Sequence, residues 1–234
     1  MEKALPQKPS DMIHPPYFGE GVAADSRRWE FDFKNGVLVT NRTPVDVVFI
    51  GDSITHIWEL NAYFRRFGLV VNRGIGGDVA DILVQRFEGD ALQLKPRACV
   101  VMVGINNTWC LDDSEHPANP DDVFTLVTDS YRRMMEMAKE HRVPLLFCSV
   151  LPVGDRSEAG QRRNRLVLRI NSKLKALCEE FGVTYVDYHS AVVDQDGLTM
   201  LDGLSDDTLH PHVIGYNRMA AVITPLLEKA LSAE

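Results

Sequence analysis

A serine hydroxyl attacks poorly until a base takes its proton, and histidine is the side chain suited to that transfer near neutral pH. Two stretches far apart in the chain offer the pair: Gly51-Asp52-Ser53-Ile54 and Asp207-Thr208-Leu209-His210. Asp207 lies three residues before His210 on a short turn, so its carboxylate can accept the Nδ1 proton and fix the tautomer and orientation of the ring. Asp206 competes for that role, and the spacing favours Asp207. Attack on a carbonyl also creates an oxyanion that needs donors. Gly77, whose missing side chain exposes its N–H, the side-chain amide of Asn106 and the N–H of Ser53 itself are the candidates. The plainer role for Ser53 is to cap a helix, which Ser and Asp both do well.

The elements around these residues decide whether they can meet. Val45 to Ile50 is a β-branched and aromatic run that reads as a strand buried on both faces, and helical spacing follows over about 54–66. The turn between them places Ser53 at the carboxyl end of a strand, with Gly51 supplying backbone freedom for the tight exit. Further strands are expected at about 69–72, 98–103, 145–150 and 183–187, with helices to about 92 and over about 121–141, 158–181 and 215–231. Strands alternating with helix-length amphipathic segments imply parallel βαβ units and an α/β three-layer sandwich. In such sheets ligands gather at the carboxyl ends of the strands, where the strand order reverses. Ser53, Gly77, Asn106 and the loop 202–212 all fall at that edge.

The 234 residues suit one well-buried domain, preceded by an N-terminal extension over 1–44. That extension carries early prolines and the aromatics Tyr17, Phe18, Trp29, Phe31 and Phe33. It reads as an extended, weakly structured arm packing its aromatics on the body or on a neighbouring subunit, which makes a homo-oligomer the expected assembly. The net charge of −8 argues against a nucleic-acid partner. The basic run Arg156, Arg162, Arg163, Arg165 and Arg169 reads as the solvated face of a helix. Met1 to Ser10 is polar and proline-punctuated, and no apolar run is long enough to span a bilayer, so no membrane partner and a cytoplasmic location are expected. The four cysteines lack metal-type CxxC spacing and read as buried free thiols.

Several residues have rival readings. His210-Pro211-His212 with its neighbouring aspartates could ligate zinc, but no further ligand pair completes a site, and neither metal nor cofactor is expected. Gly74-Ile75-Gly76-Gly77 lacks the P-loop pattern, and its GxGxxG fingerprint is incomplete. Asp52, Asn107, Trp109 and Trp58 flank the reactive positions and are candidate substrate contacts. Trp58 could equally pack in the core, and Trp109 could stack on a sugar or wall an acyl pocket.

Gly51-Asp52-Ser53-Ile54, Gly76-Gly77-Asp78, Gly104-Ile105-Asn106-Asn107 and Asp207-Thr208-Leu209-His210 resemble, in order and spacing, the four blocks of the SGNH (GDSL-type) hydrolases. Through Asn72 to Asp78 the chain looks nearest the branch of platelet-activating-factor acetylhydrolase catalytic subunits and carbohydrate O-acetylesterases. The resemblance implies a flavodoxin-like sheet of order 2-1-3-4-5. It implies Ser53 as nucleophile, Ser53, Gly77 and Asn106 as oxyanion donors, His210 as base and Asp207 as its orienter. It departs from the pattern at Asn107, where many members have Asp, and in the N-terminal arm, which the minimal fold lacks. The implied activity is hydrolysis of short-chain acyl esters, acetyl above all, with an acetylated sugar as the favoured substrate. A lysophospholipid or other lipid ester, a thioester, and a silent binding protein on the same fold are the alternatives.

Overall fold

A computed structural model describes residues 12–112 and 115–232. Five parallel strands, β1 (Val47–Gly51), β2 (Val70–Gly74), β3 (Ala98–Met102), β4 (Leu145–Cys148) and β5 (Thr184–Val186), form one sheet of order β2-β1-β3-β4-β5. β1 pairs with both β2 and β3, Ile50 lying between Arg73 and Val101. Every residue of β1, β3 and β4 is buried, as expected for strands covered on both faces.

The chain steps from β1 to one side for β2 and then repeatedly to the other, so right-handed crossovers put the intervening helices on opposite faces. Helices α2 (Ser53–Ile57) and α3 (Leu60–Phe64) cover one face with the last helix, α8 (Val213–Ser232), whose Asn217 accepts a hydrogen bond from Tyr63. Helices α4 (Ala80–Asp90), α5 (Pro120–His141) and α6 (Glu158–Phe181) cover the other. A short helix α7 (Tyr188–Val192) precedes α8. The three-layer α/β architecture and the 2-1-3-4-5 order match the sequence expectation.

Three elements differ from that expectation. The single helix over 54–66 is two, broken at Trp58, whose ψ of 121° is extended. The Asn72 side-chain amide donates to the carbonyls of Thr55, His56 and Trp58, so a group from β2 satisfies the end of α2 and the helix stops there. Residues 106–112, expected as loop, form a 3-10 helix. Within the expected arm, a 3-10 turn (Ala23–Arg27) leads into a 13-residue helix α1 (Arg28–Thr40) instead of extended chain. Phe31 of α1 is buried under the guanidinium groups of Arg27 and Arg73, and Arg28 reaches the buried Asp90 of α4 at 2.5 Å. Trp29 and Phe33 point outward, 76% and 68% exposed. Pro6, Pro9 and the stretch Met1 to Ser10 lie outside the described residues.

Candidate active site

β1 and β3 flank the point where the strand order reverses, and β1 hands the chain directly to α2. Gly51 is required there for closeness, since a Cβ would lie 2.2 Å from the Met102 carbonyl oxygen and its φ is not in the left-handed region. The backbone freedom expected of Gly51 is therefore not its role. Asp52 caps α2 by accepting the Ile54 N–H at 3.0 Å. Burial, with the nearby charge of Asp78 adding to it, pushes its carboxyl up to about 7. Ser53 follows as the first residue of α2, where the opening N–H groups have no intrahelical partner. The Tyr216 hydroxyl of α8 donates to the Ile54 carbonyl at 2.7 Å and pins this turn from the neighbouring helix of the same layer.

After β2 the chain makes a tight turn over 75–78, closed by Asp78 N–H to Ile75 O at 3.2 Å, with Gly77 at φ +82°. That left-handed value at the third position defines a type II turn, and Gly meets it at no steric cost. The Gly77 N–H has no hydrogen-bond partner among the described residues. A Cβ placed on Gly77 would lie 3.2 Å from that of Ala23, so the N-terminal segment reaches this turn. Behind it, the fully buried Arg86 donates to the Asp78 and Asp90 carboxylates and to the carbonyls of Arg73 and Gly51. One guanidinium thus ties the Ser53 turn to the glycine turn. Asn106 donates one amide hydrogen to Asp78 O at 2.9 Å and accepts from Trp109 Nε1 at 3.2 Å, which leaves its second amide hydrogen unassigned.

The third part is the loop before α8. His210 Nε2 stands 2.8 Å from Ser53 Oγ, and His210 Nδ1 stands 2.6 Å from Asp207 Oδ2. The other carboxylate oxygen of Asp207 accepts the N–H groups of Leu209 and His210 and the Ser205 hydroxyl. Burial opposes the charge, but these hydrogen bonds, the His210 ring first, hold Asp207 well below the usual carboxylate range. Between the pair, Thr208 sits at φ +68°, an uncommon value for a β-branched residue, and its carbonyl accepts the Gly154 N–H at 2.7 Å. The loop bearing Gly154 is in turn held by Asn164 and Asn171 of α6, each pairing through its amide with both the N–H and the C=O of one loop residue, Val153 and Val150.

Of the residues singled out from sequence, Ser53, Asp207 and His210 are therefore joined by direct hydrogen bonds, and Asp207 rather than Asp206 faces the imidazole. Gly77 and Asn106 adjoin through Asp78. Three candidate substrate contacts are corrected. Trp58 is 3% exposed and stacks on Tyr216 within a cluster that includes Phe49 and Phe64. Asp52 is the buried cap of α2. Asn107 is buried and spends its amide on Ala80 N–H and the Asp81 carboxylate. Trp109 remains accessible, with the Arg163 guanidinium 3.7 Å above its ring. That stacking buries Arg163, so it leaves the solvated face on which the basic run was expected. His212 uses its Nδ1 to accept the Ile214 N–H. A cavity of about 570 Å³ opens between α1 and β2, and its lining includes His56 but neither Ser53 nor His210.

Sequence reasoning missed Asn72, Arg86, Asn164, Asn171 and Tyr216. Arg86 and Asp90 carried a signal, being charged residues in register with the apolar Leu83 and Phe87 of α4. The partners of the others come from distant elements, and no local pattern marks them.

A model of the GDSL-like lipase/acylhydrolase family matches residues 49–218, and the chain belongs to that family. It is a hydrolase of the esterase or acylhydrolase kind. Among curated proteins it is 24% identical to human platelet-activating factor acetylhydrolase IB subunit alpha2 over 92% of this chain and 90% of that one. It is 27% identical to the bovine alpha1 subunit over 81% and 78%. Among solved structures, a putative acylhydrolase from Bacteroides fragilis superposes with a TM-score of 0.71 at 24% identity, covering 89% of this chain and 98% of that one. The acetylxylan esterase Axe2 of Geobacillus stearothermophilus superposes at 0.63 and 22%, covering 81% and 95%. No helix among the described residues is long and apolar enough to cross a membrane.

Proposed function

We propose that this protein is a serine esterase that removes short acyl groups, acetyl above all, through an acyl-enzyme. The observation that carries the reading is the continuous path from Ser53 Oγ to His210 Nε2 at 2.8 Å and from His210 Nδ1 to Asp207 at 2.6 Å. Ser53 Oγ attacks the ester carbonyl carbon as His210 takes its proton, and the carbonyl oxygen becomes the oxyanion. The N–H groups of Ser53 and Gly77 and the remaining amide hydrogen of Asn106 receive it. Collapse expels the alcohol, protonated by His210. Water then attacks the acyl-enzyme, giving its proton to His210, and the acid leaves as Ser53 regains its hydrogen.

The acetyl preference rests on two similar proteins whose names specify acetyl removal, one from platelet-activating factor and one from xylan. An acetylated sugar is the preferred alcohol side, with the accessible Trp109 as its stacking surface. A lipid ester is the second reading, favoured by the exposed Val213 and Ile214 directly after His212. Homo-oligomers are part of the proposal, supported by Trp29, Phe33 and Val37 exposed one turn apart along α1. Residues 1–44 then act as an extension to a catalytic body spanning 45–234.

Turnover of a chromogenic acetyl ester by the wild type, with Ser53→Ala and His210→Ala near background, is the expected result. Equal rates in all three would end the esterase reading in favour of a binding role. Acetate release from acetylated oligosaccharides should exceed hydrolysis of longer acyl chains, and a rate climbing with chain length would reverse the choice of substrate. Sedimentation of the wild type against Trp29→Glu tests the assembly.

A further inference from the structure

We propose that His56 is a positioning residue for the glycine turn, holding the Gly77 N–H toward the oxyanion by accepting the N–H of Gly76. His56 sits in α2, three residues after Ser53, and its Nδ1 accepts the Gly76 N–H at 3.2 Å. The Ile75–Gly76 peptide is thereby held at both ends, because its carbonyl takes the Asp78 N–H at 3.2 Å. The next peptide, Gly76–Gly77, carries the N–H proposed to face the substrate. In a type II turn that middle peptide can rotate over to the type I arrangement, which would turn the Gly77 N–H away. That rotation leaves the Ile75–Gly76 peptide in place, so what the His56 bond sets is the position of the whole turn, and with it the Gly77 N–H, against α2 and Ser53. The His56 backbone that carries the ring is itself fixed, since a Cβ on Gly74 would collide with its nitrogen and the Asn72 amide holds its carbonyl. The same histidine helix thus carries the nucleophile and braces the donor turn.

The bond requires a lone pair on Nδ1, so His56 must be neutral with its hydrogen on Nε2. Protonation would set one N–H against another and release the turn. The charged groups about it are Arg27 and Glu30 from the N-terminal segment, with Lys34 of α1, Glu59 after α2 and Arg73 of β2 lining the same cavity. Burial, then the charge of Arg27, hold His56 below the ordinary histidine range and keep it an acceptor.

This inference rests on the esterase reading for its kinetic test, and a second measurement stands apart from activity. His56→Ala should lower kcat on a chromogenic acetyl ester about tenfold, less than outright loss of a donor, with KM within about twofold. His56→Asn, whose amide oxygen takes the place of Nδ1 and does not titrate, should recover most of that loss. Acid should cost the wild type up to about tenfold more in kcat/KM than it costs His56→Asn, as protonation of His56 releases the turn. Independently of turnover, the Gly76 amide resonance should follow the ionisation of the His56 ring in wild type and in His210→Ala. Wild-type kinetics in His56→Ala, an equal loss in His56→Asn, or a Gly76 amide indifferent to His56 would each overturn the proposal. Wild type no more active than Ser53→Ala would remove the esterase reading alone, and the Gly76 resonance would still decide this one.

Discussion

The two halves of the candidate site are held by different means. The nucleophile and glycine turns rest on buried charge, with Arg86, Asp78 and Asp90 all lying out of contact with water. The base loop rests on the surface, where the Asp207 side chain is 55% exposed and is fixed by hydrogen bonds within its own turn. The first half cannot lose a member without stranding a charge in the core, whereas the second can lose one and keep its fold. Damage to the base loop should therefore show in rate, and damage to the buried half in stability as well.

The sharpest separation comes from His210→Ala, which should cut kcat by about 10⁴- to 10⁶-fold while the melting temperature stays within a few degrees. A large drop in melting temperature would mean the base loop supports the fold. Arg86→Ala leaves the buried Asp78 carboxylate without its partner and Asp90 with Arg28 as its remaining ion pair, and should cost about 3–5 kcal/mol, or ~6–20 °C in melting temperature. The exposed Arg165→Ala is its control, expected within about 0.5 kcal/mol of wild type by denaturant titration. Asn106→Ala should reduce kcat about a hundred- to a thousand-fold with a smaller change in KM, and an unchanged kcat would remove Asn106 from the oxyanion donors.

A pH-dependent contrast concerns Asp52. A carboxyl whose pKa rises on folding from 3.8 to about 7 contributes its stability in full below about pH 4 and loses it as the pH climbs through 7. Asp52→Asn keeps a capping oxygen and removes the titration, so its melting temperature relative to wild type should improve steadily from pH 4 to 8. Taking the difference between the two proteins cancels carboxylates such as Asp207, whose depressed pKa acts on the acid side. A flat difference would show that Asp52 does not titrate in this range.

What could be read from the sequence follows the same division. The alternation of apolar strands with amphipathic helices is local, and it made the parallel three-layer architecture legible, whereas the strand order came from the family resemblance. The hydrogen-bonded grouping of Ser53, His210 and Asp207 was legible because the Asp207–His210 spacing is local and the strand ends are brought together by topology. The break after Ile57 was not legible, since the group that ends α2 is Asn72, on a neighbouring strand. The helical N-terminal segment was misjudged because its prolines and aromatics resemble an arm, while the contacts that stabilise it, Arg28 with Asp90 and Asn35 with Arg73, reach far along the chain. Asp52 and Trp58 were placed near substrate by their closeness to Ser53, yet a strand-to-helix turn directs alternate side chains into the interior.

Ser53 and His210 stand 157 residues apart, and the glycine turn and Asn106 both follow Ser53 closely in the chain. A ribosome therefore releases the hydroxyl and its cradle well before the imidazole. Until His210 has emerged and docked, the growing polypeptide carries a resting alcohol with nothing to deprotonate it, so the proposed reactivity waits for a segment made long after Ser53.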